Sequence, residues 1–223
     1  MAAAKSAKSK PKARKTPKDP RAAIIAAAMT LAARDGWRRA SMSLIAAECG
    51  LGLTEVLGIF PSKTAILNGL SKDIDAAVLA DLEADNEIGD NPRDRLFDIL
   101  MRRFDAMQPY RDGIAAVLLG GPADPMAALC HLCRLRAAMA LMLNAAGEST
   151  DGLLGHLRIK GLGLIYANAL RAWIDDDSAD MSATMAAVDR GLARAEGVMT
   201  CLENRCRAVP DEDAAETSEP VSA

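Results

Sequence analysis

Residues able to do chemistry are sparse in this chain of 223 residues, and their groupings are short. Cys130-His131-Leu132-Cys133 places three soft metal ligands within one helical turn. Successive helical residues diverge by ~100°, so only Cys130 and Cys133 share a face. A structural zinc needs four ligands, and nothing nearby completes the set. The pattern reads as ordinary core cysteines, and no metal site is expected. His131 and His156 have no Ser/Asp or Cys/His partner in a triad context. No P-loop, Gly-x-Ser-x-Gly or His-Glu-x-x-His occurs. Gly161-Leu162-Gly163 lies inside a helical pattern with no strand before it, so it permits close helix approach and cradles no phosphate. The acids of Asp175–Asp180 read as a helix start, with Ser178 or Asp180 as the cap. An enzyme is therefore not expected, nor a cofactor.

Binding chemistry is better represented. Residues 1–18 carry seven Lys/Arg, Lys12, Arg14 and Lys15 among them, and no acid. Residues 207–223 carry five acids and one Arg. Both ends hold little to bury and read as disordered, the first as a basic arm and the second as an acidic tail. A basic arm adds counterion-release affinity for nucleic acid and can enter a minor groove.

The elements between these ends are helical. Hydrophobic residues make up 50% of the chain but aromatics only 3%, and alanine dominates. That composition favours helix over strand. No apolar run approaches the ~18 residues of a membrane span, and the basic start lacks an apolar segment. A cytoplasmic protein without membrane insertion is expected, and the five cysteines are expected to be reduced.

Punctuation divides this middle into about nine helices. Asp19-Pro20 caps and opens the first, with Ile24, Ala28, Leu31 and Ala32 on one face and Gly36 as its stop. Ser41 caps Met42–Cys49, which Gly50 ends; Leu53–Ile59 is a third, short helix; Pro61-Ser62 breaks and caps a long fourth. Asn91-Pro92, the segment after Pro109, Asp124-Pro125, Thr150 and Asp180 open the rest, the last running to about Cys201. A longer helix, a short helix, a tight Gly turn and a second short helix form a helix-turn-helix arrangement. Ile45, Leu53, Val56, Leu57 and Phe60 are expected to bury one face of it.

Ile25, Ala28, Gly36, Ser41, Ile45-Ala46, Gly50, Phe60 and Lys63 stand at the spacing of TetR-type transcriptional repressors, which residues 20–67 resemble. The resemblance implies an all-α, TetR-like fold: a three-helix DNA-binding unit over 19–70, then a bundle over 71–206 for ligand binding and dimerisation. The tail would occupy 207–223. Double-stranded DNA would be met by Ser41, Ser43, Gly52, Leu53, Thr54, Glu55, Gly58, Lys63 and the arm. Gly52, Thr54, Glu55, Leu57 and Ile59 stand where the family usually has Ser, Gly, Thr, Tyr and His. Glu55 could accept from cytosine N4.

Residues 153–196 resemble a second family. Leu162, Tyr166, Trp173, Asp175-Asp176, Ser178, Asp180, Thr184, Val188 and Asp189-Arg190 match the C-terminal part of the COQ9 family of ubiquinone-biosynthesis proteins. Members share a TetR-like fold and bind isoprenoid or other lipid. Met139, Met142 and Leu143 replace that family's aromatic pocket segments, and the acidic end replaces its membrane-binding helix.

Met101, Phe104, Met139, Met142, Tyr166 and Trp173 are the candidates for holding an apolar or lipid-like effector, since methionine adapts to varied apolar ligands. Met107 and Met126 extend the same interior. Ala, Gly and Leu faces near 150–173 and 180–201 suit a four-helix interface in a homodimer. The function expected is a TetR-type repressor released by an apolar effector. The alternative is a COQ9-like lipid-binding accessory protein without DNA binding.

Overall fold

Capping chemistry decides where the helices of this alanine-rich chain begin. The computed structural model describes residues 19–85, 91–120 and 125–207, the side chains of 125–128, 200 and 202–207 excepted. The described residues form nine α-helices: α1 (Pro20–Asp35), α2 (Met42–Cys49), α3 (Leu53–Ile59), α4 (Lys63–Ala84), α5 (Pro92–Met107), α6 (Arg111–Leu119), α7 (Pro125–Ala145), α8 (Gly152–Ile174) and α9 (Ser182–Arg207). A 3-10 turn, Gln108–Tyr110, joins α5 to α6. Asp19 accepts from the Ala22 amide at 3.1 Å, Ser62 from Ala65 at 3.1 Å and Asn91 from Asp94 at 2.8 Å. Each side chain satisfies an amide that has no partner within its helix.

The chain divides into two units, the first running to Asp81 and including Asp105–Arg134, the second comprising Leu82–Phe104 and the residues from Leu135 onward. In the first, α1 buries Ile24, Ile25, Ala28, Met29, Leu31 and Ala32. Ile45, Val56, Phe60, Ile66 and Leu70 are buried as well. Gly69 makes room for the Phe60 ring: a Cβ there would sit 2.6 Å from it. Arg21 lies over the same ring, 5.2 Å from its centroid, and pairs with Asp73 at 2.7 Å.

In the second unit, Phe104 stacks on Tyr166 at 5.4 Å between ring centroids and meets Trp173, tilted by 40°, at 5.8 Å. Ile99, Leu100, Met139, Met142, Leu162, Ala169 and Val188 complete the core. Arg103 is buried with its guanidinium facing the Tyr166 ring at 5.6 Å.

Three sequence expectations are corrected. Cys130 and Cys133 are exposed thiols and not core residues, because the first half of α7 turns this part of its surface outward together with Leu129 and Leu132. The helix expected to open at Thr150 begins at Gly152, behind Asp151. The last helix begins at Ser182 and continues to Arg207, where the tail was expected to start. Residues 1–18 and those beyond Arg207, expected as arm and tail, lie outside the described residues, as does the Met126 side chain.

The start of α9 follows from a long-range cap. Asp176 is buried and accepts from both the amide and the hydroxyl of Thr184, each at 2.8 Å. Its other oxygen accepts from the Ser178 hydroxyl and, at 3.2 Å, from the Ser178 amide. Ser178 in turn accepts from the Ser182 amide at 2.9 Å, as expected of a cap; Asp176, not Asp180, is the carboxylate involved. The Ser178 hydroxyl, then the Thr184 donors, hold the Asp176 carboxyl well below the usual carboxylate range. Asp176→Ala is expected to cost about 2–3 kcal/mol, combining a lost cap with buried donors left unpaired. Since the unfolded carboxyl titrates near 3.9, this stability is present above about pH 5 and is lost as acid drives the proton onto the unfolded chain. Urea titrations at pH 7 and pH 3.5 should therefore show a smaller difference between wild type and variant at the lower pH.

Candidate nucleic-acid interface

Two short helices and the turn between them define this site. The axes of α2 and α3 are bent by 105° across the three residues Gly50, Leu51 and Gly52. A left-handed residue must end α2 for the chain to turn so sharply, and Gly50 adopts φ 75°, where a side chain would be strained. The Leu51 amide closes the turn on the Ala46 carbonyl at 3.1 Å. Ile45 and Ala46 on α2, with Val56 and Phe60 at the end of α3, supply the buried contacts. Helices at ~90–120° joined by a short Gly turn are the geometry of a DNA-binding helix-turn-helix.

Seven residues give α3 two turns, and only one stripe of them can be buried. Val56 and Phe60 occupy it. Leu53 and Leu57 were expected to join them, but they are 43% and 40% exposed. They stand four apart, Leu57 ~100° and Leu53 ~60° round the helix from Val56. Gly52, Thr54, Glu55, Gly58 and Ile59 are exposed too. The structure therefore gathers Gly52, Leu53, Thr54, Glu55 and Gly58 on one short outward-facing helix and its cap. It is a mixed surface: aliphatic side chains, one hydroxyl and one carboxylate.

The other candidates are placed differently. Ser41 caps α2, accepting from the Leu44 amide at 3.3 Å, and its hydroxyl lies 3.0 Å from that of Ser43; both serines are exposed. Lys63 opens α4, but its ammonium donates to the Trp37 carbonyl at 2.5 Å and sits 4.4 Å over the Trp37 ring. Burial lowers its pKa. A phosphate must compete with Trp37 for this cation. Lys12, Arg14 and Lys15 lie outside the described residues. Arg39 went unremarked in the sequence, yet it is exposed two residues before the Ser41 cap. The basic pair Arg38-Arg39, running straight into a capping serine, was the available signal.

Residues 24–70 match the family model for bacterial regulatory proteins of the tetR family. Solved structures share the TetR-like fold over most of the chain. A TetR transcriptional regulator from Nitrosomonas europaea ATCC 19718 has 22% identity and a TM-score of 0.67, over 80% of this chain and 99% of that one. A TetR transcriptional regulator from Rhodococcus sp. RHA1 has 19% identity and a TM-score of 0.54, over 77% and 94%. No curated protein matches the sequence. The COQ9 resemblance of residues 153–196 has no counterpart among these matches. Ser41, Gly50, Phe60 and Lys63, on which the TetR resemblance was read, all fall within the matched domain or its caps.

The effector candidates belong to the second unit. Phe104, Met139, Met142, Tyr166 and Trp173 are all buried and in the same core, while Met101 is half-buried. A cleft of about 640 Å³ in that unit, which reaches the core at Leu162, is lined by Leu157, Gly161, Leu164, Ile165, Gly191 and Val198, among others. Among the described residues no single helix is long and apolar enough to cross a membrane.

Proposed function

We propose that this chain is a DNA-binding transcriptional regulator, a homodimeric repressor released by an apolar small molecule. The observation that carries the reading is the TetR-type helix-turn-helix, with its 105° bend and the outward α3 surface of Leu53, Thr54 and Glu55. Leu53 suits a thymine methyl, and Glu55 suits cytosine N4. Ser41, Ser43 and Arg39, all exposed, would contact phosphate and fix register.

Dimerisation is supported by the apolar residues that α8 and α9 leave exposed, Leu153, Leu157, Leu164 and Val198. Gly191 meets Ile165 so closely that a Cβ would lie 2.6 Å away, so the two helices already pack tightly within one copy. Two copies joined through this surface would address half-sites ~34 Å apart. The effector would enter among Met101, Phe104, Met139, Met142, Tyr166 and Trp173. Methionine side chains there can repack around an apolar guest. Such a ligand acts only by binding the DNA-incompetent state more tightly.

Fluorescence anisotropy against the chain's own upstream DNA, with scrambled duplex as competitor, tests the reading. Specific binding should exceed non-specific binding by ~10³-fold or more. Equal affinity for both duplexes would refute it. Glu55→Gln should shift preference at one operator position from cytosine towards adenine, by about 1–3 kcal/mol. A selection from random duplexes with both proteins reads that shift directly.

A further inference from the structure

Cys130 and Cys133 are free thiols, both exposed on α7 and one helical turn apart. Side chains three apart on a helix have their Cβ atoms ~5–6 Å from each other. A disulfide needs Cβ atoms about 3.5–4.5 Å apart, so direct bonding would tighten the helix. An atom bonded to both sulfurs spans the longer gap with the helix regular. Arg134 stands four residues after Cys130 on the same helix. It donates to the Asn68 carbonyl at 3.2 Å, while its Nε is buried without a hydrogen-bond partner. Leu129 and Leu132, on the adjoining stripe, are 53% and 62% exposed and offer an apolar surface beside the sulfurs. His131 lies ~100° round the helix from Cys130 and is no third ligand.

We propose that Cys130 and Cys133 form a two-thiolate site for a soft, thiophilic centre carrying an apolar group, the chemical class being trivalent organoarsenicals. With an arsine oxide, two S–As bonds form and the As–O bond breaks. The oxygen leaves as one water with the two thiol protons. Arsenic stays trivalent and no electrons are transferred. This site is independent of the regulator reading, since its test needs no DNA.

The probe is phenylarsine oxide added to the full reduced chain, followed by intact-mass measurement under a large excess of glutathione. One equivalent should be retained, and dithiothreitol should remove it. Cys130→Ser and Cys133→Ser should each weaken retention about 100-fold or more, because a single thiol loses the chelate advantage. Cys49→Ser and Cys201→Ser should retain it. No retained adduct in wild type, or retention in Cys130→Ser, overturns the proposal. In unmutated protein the arsenical should also protect Cys130 and Cys133 together from iodoacetamide while Cys201 still reacts. Alkylation of both in its presence overturns the proposal equally.

Discussion

Deleting residues 1–18 is expected to lower duplex affinity about a thousandfold at 0.1 M salt. Roughly half of the arm's cations would sit on phosphate at once, each contributing ~0.9 to the slope of log K against log salt. The arm matters this much because, Arg39 apart, several of the described cations near the helix-turn-helix are already engaged. Lys63 is turned onto Trp37, the Arg38 Nε donates to the Gly120 carbonyl, Arg34 pairs with Asp35 and Glu48, and Arg21 pairs with Asp73. Glu48 and Glu55 add exposed negative charge. A salt titration of both proteins by anisotropy should show the truncated slope shallower by about 3. The buried residues of the first unit begin within α1, behind Asp19 and Pro20, so thermal stability should not change. Equal slopes would mean that α2 and α3 find their own phosphate contacts and that the arm is idle.

Phe104→Ala is expected to destabilise the chain by about 3–5 kcal/mol. Phe104 is fully buried, stacks on Tyr166 and meets Trp173 at a tilt, so truncation removes two aromatic contacts and leaves a cavity. A chain of this length should lose about 10 °C or more in melting temperature. Met139→Leu, which nearly conserves volume, should cost less than about 1.5 kcal/mol. Denaturant midpoints in the absence of any effector measure both. A cost below about 1 kcal/mol for Phe104→Ala would mean that this cluster is a loose pocket. The large cost would mean that an effector has to pry open a packed core, and methionine is the residue there best able to yield.

Local signals in the sequence determined the elements. Asp19-Pro20, Ser41, Gly50, Ser62 and Asn91 act within a few residues of themselves, so their helix ends could be read without knowing the fold. The TetR-type unit was legible for the same reason, since a helix-turn-helix is short and its turn residues are specific. Tertiary structure decided what depends on distant partners. Leu53 and Leu57 look like core residues by type, but a two-turn helix has room for one buried stripe, and Val56 and Phe60 take it. Lys63 looks like a phosphate contact until Trp37, 26 residues earlier, offers its carbonyl and ring face. Asp176, one of several acids, became the cap of α9 because Thr184 returns to it eight residues later. Cys130 and Cys133 share a helical face by spacing alone, but only the packing of α7 determined that this face meets solvent. Spacing along a helix is a local property, whereas burial is a property of whatever the rest of the chain brings alongside.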